Sequence, residues 1–167
     1  RFSDGGKSEC DLLAFDADPP KVYRKLINSR HRSKWTDARL DNLAYSMGLF
    51  VWYFGTTKKY PDVKHHTIIM GETFKELLAE IYDDKVLSDD LSLYLHRPAA
   101  TDPQMSPDSG DSFYVLAPVP NKKAKVDWKE AGEKVRQQVE QQLEATLLPD
   151  LGKCLEVSFF VTPDDFE

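Results

Sequence analysis

The sequence lacks long apolar runs and lacks an excess of positive charge. Its longest uninterrupted apolar stretch covers only residues 49–54, whereas a membrane-spanning helix needs roughly 20 apolar residues. The 167 residues carry 22 Lys and Arg against 28 Asp and Glu, which gives a formal net charge of −6. Because nucleic acid binding needs a broad basic surface, we expect neither a spanning helix nor DNA or RNA as a partner.

Cysteine is scarce, and the first residues carry no export signal. Cys10 and Cys154 are far apart in the chain and lack the short spacing of a metal or redox motif. Two reduced thiols in a cytosolic protein are therefore favoured over a disulfide. Residues 1–10 hold charges and a Gly pair instead of a basic start and an apolar segment. The missing initiator methionine and the acidic ending at 164–167 suggest a segment of a longer chain, although processing would leave the same pattern.

The motifs that mark several classes of enzyme are also missing. The chain contains no G-x-G-x-x-G, no G-x-x-x-x-G-K-[ST] and no G-x-S-x-G, so dinucleotide, phosphate-loop and nucleophile-elbow sites have no signature. His65 and His66 are adjacent at the head of a predicted strand, where neighbouring side chains point to opposite faces. We therefore expect that they do not chelate one ion, and we predict no metal site.

The residues that are present predict a folded α+β chain. An apolar fraction of 41% and a charged fraction of 30% are typical of a folded protein, and the length predicts a single domain over residues 1–167. Strands are predicted over residues 45–57, 66–70, 91–97, 113–119 and 154–161, with another over 7–15 after a turn at 3–6. Helices are predicted over 18–28, 37–43, 72–83 and 127–148. This order predicts a mixed, largely antiparallel sheet of about five strands with two long helices packed on it.

Two groups of residues are candidates for a site. The strand over 45–57 is apolar on both faces and includes Trp52 and Phe54, which could line an apolar pocket, although a plain core is favoured. His96 and Arg97 end another strand beside a long loop, where an imidazole and a permanent cation could face a cleft. Alternatively, the side chains of His96 and Arg97 contact only solvent or a nearby acidic residue, and the sequence favours neither interpretation.

Several long and unusual runs resemble one enzyme family. They are Tyr-Phe-Gly at 53–55, His-His-Thr at 65–67, Leu-Ser-Leu-Tyr-Leu-His-Arg-Pro-Ala-Ala-Thr-Asp-Pro at 91–103 and Phe-Tyr-Val-Leu-Ala-Pro-Val-Pro at 113–120. In order and spacing these runs closely resemble bacterial-type phytoene desaturase. The resemblance extends weakly to residues 16–20, 23–24, 128 and 162–163, and so covers essentially the whole chain. It corresponds to the middle of that family's enzyme.

The resemblance implies part of an oxidoreductase of carotenoid biosynthesis. Family members are FAD flavoproteins that remove hydride and proton from phytoene, a long C40 hydrocarbon, and they are cytoplasmic proteins that associate peripherally with the membrane surface. Their FAD lies between an N-terminal dinucleotide-binding segment and a C-terminal Gly-rich segment, neither of which is in this chain. The residues here correspond to the substrate-binding domain, whose sheet forms one wall of an apolar tunnel. We therefore expect this chain alone to hold no flavin and to be inactive.

The resemblance also ranks the candidate residues. His96 and Arg97 are candidate substrate-binding residues with Tyr94 beside them, and Trp52 and Phe54 are candidate tunnel wall. Arg97 could orient the domain against flavin phosphates or membrane headgroups, and no catalytic residue is assigned.

The chain departs from the family pattern at several positions. They are Asp16, Ser109-Gly110 and the run Asn121-Lys122-Lys123. The alternatives that remain open are a standalone α+β binding or interaction module and an engineered fragment without catalysis.

Overall fold

The computed structural model describes residues 4–166, which form two compact units divided between Ala44 and Tyr45. The expectations for residues 1–3 and for Glu167 lie outside this range. Each unit is described by itself, and the single domain expected over residues 1–167 stays a prediction.

The first unit, residues 4–44, contains two short helices. Helix α1 covers Pro19–Lys25 and helix α2 covers Asp37–Asp41, with a single 3-10 turn at Ser29–His31 between them. Proline starts α1 because its missing N–H costs nothing in a first turn. Side chains hold the unit together, since Trp35 stacks on the ring of Tyr23 at 5.3 Å and Arg32 Nη1 donates to Asp37 Oδ1 at 2.7 Å.

The prediction of a strand over residues 7–15 is wrong. Within residues 4–44 no strand is formed, and residues 7–15 are irregular and exposed. The turn before it is present, since Gly5 has φ +86° and Gly6 N donates to Asp4 Oδ1. A strand is stable only when its backbone groups find a partner strand, and the described residues offer none here.

The second unit, residues 45–166, is built on one five-stranded sheet. Its strands are β1 (Gly48–Thr56), β2 (His66–Ile69), β3 (Leu93–His96), β4 (Asp111–Val119) and β5 (Leu155–Val161), and its helices are α3 (Phe74–Ala79), α4 (Trp128–Thr146) and α5 (Leu151–Cys154). The order across the sheet is β2-β3-β4-β1-β5, and every pairing is antiparallel. The predicted α+β fold with a sheet of five strands is therefore confirmed.

Helix α4 covers one face of this sheet. Val135, Val139 and Leu143 follow one another in steps of four along the helix and are fully buried, as the period predicts. They share one core with Trp52 and Val115 of the two central strands. Since this face is filled, the other face of the sheet is the one left for contacts outside the core.

The helix predicted over residues 72–83 is present in two parts. Helix α3 continues directly into a π-helical turn at Glu80–Asp84, which ends at Lys85 in the left-handed region with φ 55°. Leu77 and Ile81 of the predicted apolar stripe are buried, whereas Phe74 is exposed. No helix among the described residues is both long enough and apolar enough to span a membrane.

Candidate functional site

The face of the sheet opposite α4 carries apolar and aromatic side chains that stay exposed. Cross-strand partners in a sheet lie on the same face, so the register places Tyr53 with Phe159 and Tyr94 with Ile68. Ile68 is 69% exposed, Val157 62% and Phe159 60%. Large apolar side chains are seldom exposed together on one face of a sheet unless that face binds a ligand, another protein or a membrane. We call this surface the exposed face.

An uninterrupted row of rings crosses the exposed face from one sheet edge to the other. It runs over the strands in the order β5-β1-β4-β3-β2 through Phe159, Tyr53, Tyr114, His96 and His66. Successive ring centroids are separated by 5.0, 5.7, 4.6 and 5.3 Å. We call it the aromatic row, and four strand spacings give it a length of roughly 19 Å.

A second row beside the aromatic row is mainly aliphatic. The register aligns Val161, Val51, Leu116, Tyr94 and Ile68 across the same five strands. Tyr94 joins the two rows, because its ring centroid lies 5.9 Å from that of Tyr114. The two rows together form an apolar band with aromatic rings along one side, in which Val51 is buried.

Two of the five predicted site residues, Tyr94 and His96, lie on the exposed face. Burial lowers the pKa of His96, and the neighbouring His65 and His66 lower it further. Both effects favour the neutral imidazole. The sequence placed these two residues on one face because they alternate along a strand.

Trp52 and Phe54 lie on the other face, inside the core. Trp52 is 0% exposed and Phe54 4%, and their rings stack at 4.3 Å. The guanidinium of Arg136 in α4 lies over the ring of Trp52 at 5.4 Å. Their assignment as tunnel wall stays a prediction. On the same strand, β1, Tyr53 lies on the exposed face, opposite Phe159 of β5.

Arg97 is also buried, with 8% of its surface exposed. Its Nε lies 3.1 Å from Oδ2 of Asp111, and its Nη1 donates to the carbonyl of Val63 at 3.0 Å. The same Asp111 oxygen accepts from the backbone N–H of Tyr60 at 2.7 Å. These contacts tie three segments together, and the role of Arg97 as a cleft residue stays a prediction.

Sequence reasoning missed Tyr53, Tyr114 and Phe159. The available signal was the alternation of the strands that hold them: along β4 every second residue is buried, and Tyr114 falls on the other parity. In residues 45–57 both parities are aromatic or aliphatic, so the pattern does not say which set faces α4. The register of the folded sheet makes that distinction.

The expectation that His65 and His66 point to opposite faces is wrong. Their ring centroids are 4.2 Å apart, and with His96 they place three possible ligand atoms within 4.8 Å of one another. The reason is that β2 begins at His66, so His65 stands in a bend where the alternation of a strand does not apply. We call these three residues the imidazole cluster.

The described residues do not fit the dinucleotide part of FAD, the cofactor that the resemblance implies. Such a site uses parallel strands and a Gly-rich turn that leads from a strand into a helix, whereas all pairings here are antiparallel. The turn from β2 to α3 contains Gly71, but a Cβ on that residue would lie 2.6 Å from a carboxylate oxygen of Asp90. A carboxylate at this position repels a phosphate.

Together the fold and the exposed face define a class: an α+β domain whose antiparallel sheet packs one face into a core and offers the other as an apolar surface. Comparison with known proteins gives the relationship. The chain is 40% identical over 171 residues to a neurosporene-forming phytoene desaturase of Rhodobacter capsulatus. The alignment covers 99% of this chain and 33% of that protein. It is also 39% identical to a lycopene-forming phytoene desaturase of Pseudescherichia vulneris, and that alignment covers 99% of this chain and 34% of the relative. It is 32% identical to a zeta-carotene-forming phytoene desaturase of Myxococcus xanthus, with 99% of this chain and 32% of the relative aligned.

The resemblance to phytoene desaturases is therefore confirmed along the whole chain. The chain spans about a third of the length of these relatives. No protein-family model matches it.

Proposed function

We propose that this chain is the substrate-binding part of a phytoene-desaturase-type enzyme of carotenoid biosynthesis, and that the exposed face is the wall along which the polyene lies. The observation that carries the proposal is the aromatic row, which crosses all five strands on the face opposite α4. The relatives' names add the substrate class, since they are phytoene desaturases.

The chemistry of the exposed face suits a long hydrocarbon. A polyene has no group that could satisfy a buried donor or charge, so its wall must be apolar and flat. Val157, Phe159 and Ile68 provide apolar area at both edges of the sheet, and each Å² removed from water is worth about 25 cal/mol. Aromatic rings also stack on an extended π system in offset geometry.

The proposal assigns the flavin to other parts of the enzyme. The antiparallel sheet and the position of Asp90 beside Gly71 support this assignment. We expect the purified chain mixed with FAD to elute from gel filtration without flavin absorbance. A stoichiometric yellow protein would contradict the assignment.

The location of the enzyme is part of the same proposal. A C40 hydrocarbon dissolves in membranes and not in water, so an enzyme that binds it must collect it at a membrane surface. We therefore propose a cytoplasmic protein that associates peripherally with the membrane. Sedimentation with phytoene-loaded vesicles tests this, with the same vesicles without phytoene as the reference.

Polyene binding is tested with two matched valine variants. Val157→Lys places a charge on the exposed face, and Val86→Lys places the same charge on an exposed valine outside the sheet. We expect a coloured C40 polyene to quench the fluorescence of the native chain and to raise its melting temperature. Val157→Lys should weaken this binding by about tenfold or more, because a desolvated ammonium costs at least 1.4 kcal/mol.

The control decides between surface-specific and general effects. We expect Val86→Lys to bind the polyene as the native chain does. If the polyene neither quenches nor stabilises the native chain, or if both variants lose binding equally, the substrate-binding proposal fails. The standalone interaction module then becomes the better interpretation.

A further inference from the structure

The imidazole cluster gives the rings of His96 and His66 to the aromatic row, but the proposed function does not use their nitrogens. Nε2 of His65 lies 2.8 Å from Nε2 of His96. His65, His66 and His96 together offer three ligand atoms within 4.8 Å of one another, and His66 is exposed to solvent. A small ion can therefore reach the cluster from outside.

Two hydroxyl groups contact the outer nitrogens of His65 and His66. Nδ1 of His66 is bonded to the hydroxyl of Tyr94 at 2.7 Å, and Nδ1 of His65 is bonded to the hydroxyl of Thr101. When each Nδ1–H donates to its hydroxyl, the Nε2 lone pairs point into the cluster. Metal-binding histidines in proteins have this arrangement, with the second nitrogen donating to an outer partner.

Two nitrogens of the cluster lie so close that a proton or a cation must lie between them. Nδ1 of His96 is buried and has no hydrogen-bond partner, so its ring is held by Nε2 alone. Two Nε2 lone pairs at 2.8 Å repel each other unless a proton or a cation lies between them.

We propose that the imidazole cluster binds one divalent transition-metal ion, and that Zn²⁺ fits it best, with Nε2 of His65, His66 and His96 as ligands and a fourth position open to water. Three neutral imidazoles suit Zn²⁺, Cu²⁺ and Ni²⁺, whereas Mg²⁺ and Ca²⁺ require oxygen ligands. Three histidines and one open position form a known tetrahedral arrangement for Zn²⁺.

The side chains of the cluster must adjust to hold the ion. Zn–N bonds are about 2.0–2.1 Å long, so tetrahedral ligand nitrogens lie roughly 3.3 Å apart. The nitrogens of His65 and His96 must therefore separate by about 0.5 Å from their 2.8 Å distance. The ligand atoms lie within 4.8 Å of one another, so the most distant pair must approach by up to about 1.5 Å. His65 lies in a bend, so a change in its side-chain torsions allows this without moving the sheet.

The experiment is a Zn²⁺ titration of the metal-stripped full chain, followed by calorimetry and, with Co²⁺ in place of Zn²⁺, by its visible absorption. The chain has four histidines, and His31 is the one outside the cluster. His31→Gln is therefore the matched control for His66→Gln. Because His66 is exposed, its replacement leaves the core intact, and circular dichroism without metal checks this.

We expect one Zn²⁺ per native chain, a tetrahedral Co²⁺ spectrum and no binding of Mg²⁺. His66→Gln should weaken Zn²⁺ binding by more than tenfold and His31→Gln should leave it unchanged. Tyr94→Phe should weaken it by about 10–100-fold, as expected for an outer partner of a ligand. Binding weaker than about 0.1 mM in the native chain, or equal binding in His66→Gln and His31→Gln, would overturn the proposal. Neither result depends on polyene binding, so the two proposals fail separately.

Discussion

At the scale of single residues, the pair formed by Arg97 and Asp111 shows how a residue suited to a site can serve the fold. Both side chains are buried, and Asp111 also accepts the N–H of Tyr60. Burying two charges is costly, and removing one partner is costlier still because the other stays unpaired. The pair therefore holds the beginning of β4 to the loop that follows β1.

Replacing Asp111 with asparagine tests this role. Asp111→Asn keeps the shape and leaves the charge of Arg97 uncompensated, so we expect the free energy of unfolding to fall by about 3–5 kcal/mol. Urea unfolding followed by circular dichroism measures it. The control is Asp150→Asn, which removes an exposed partner of Lys153 and should change stability little. A loss no larger than that of the control would show that the buried pair does not stabilise the fold.

Tyr60 makes the free energy of unfolding depend on pH in the alkaline range. Its hydroxyl donates to the carbonyl of Pro149 at 3.2 Å, and burial, with a further effect of Cys154, raises its pKa to about 12. The unfolded chain ionises Tyr60 near pH 10 and the folded chain does not. The contribution of this shift is thus fully present below about pH 10 and is lost as the pH rises towards about 12.

Tyr60→Phe isolates this effect. At about pH 9 we expect the variant to be less stable than the native chain by about 1 kcal/mol, because one buried hydrogen bond is lost. Between about pH 10 and 12 the native chain should lose up to about 1.4 kcal/mol per pH unit through this group, and the variant should not. Urea unfolding at both ends of the range measures the difference. Parallel pH curves for the two proteins would contradict the prediction.

At the scale of elements, the close approach of α4 to the sheet depends on a glycine. A Cβ on Gly132 would lie 2.7 Å from Cε2 of Phe160 in β5, and that ring in turn packs on Phe50 at 5.4 Å. Glycine in the middle of a helix costs about 1 kcal/mol relative to alanine. Its presence here indicates that close contact with β5 outweighs helix propensity.

A double-mutant cycle tests this contact. We expect Gly132→Ala to lower the free energy of unfolding in the native chain, since overpacking costs about 1–3 kcal/mol. In a Phe160→Ala background the same change should raise it by about 1 kcal/mol, because only the gain in helix propensity remains. Chemical denaturation of the four proteins gives both values. If Gly132→Ala instead stabilises the native chain, the ring of Phe160 moves aside freely and the prediction is contradicted.

The helices and strands also show which parts of the fold and of the candidate site can be predicted from the sequence. Local patterns predicted the five sheet strands and α4, because alternation and a period near 3.6 require only the residues themselves. The strand predicted over 7–15 failed since a strand also needs a partner, which local pattern does not supply. The imidazole cluster was missed because one bend residue, His65, breaks the alternation, and the assignment of Trp52 and Phe54 to a face needed the register.

At the scale of the whole molecule, two properties oppose each other: the net charge of −6 and the apolar exposed face. Like charges keep copies of a chain apart, whereas an exposed apolar band favours association.

We therefore expect the chain alone to self-associate reversibly through its exposed face. Raising the salt from about 0.05 M to about 0.5 M should strengthen the association, since screening removes the repulsion and leaves apolar contact unaffected. Sedimentation velocity over a range of protein concentrations measures it. Phe159→Lys should weaken the association, whereas Phe74→Lys, at an exposed phenylalanine outside the sheet, should not. Association that weakens with salt would indicate contacts between charges and would remove the exposed face as its cause.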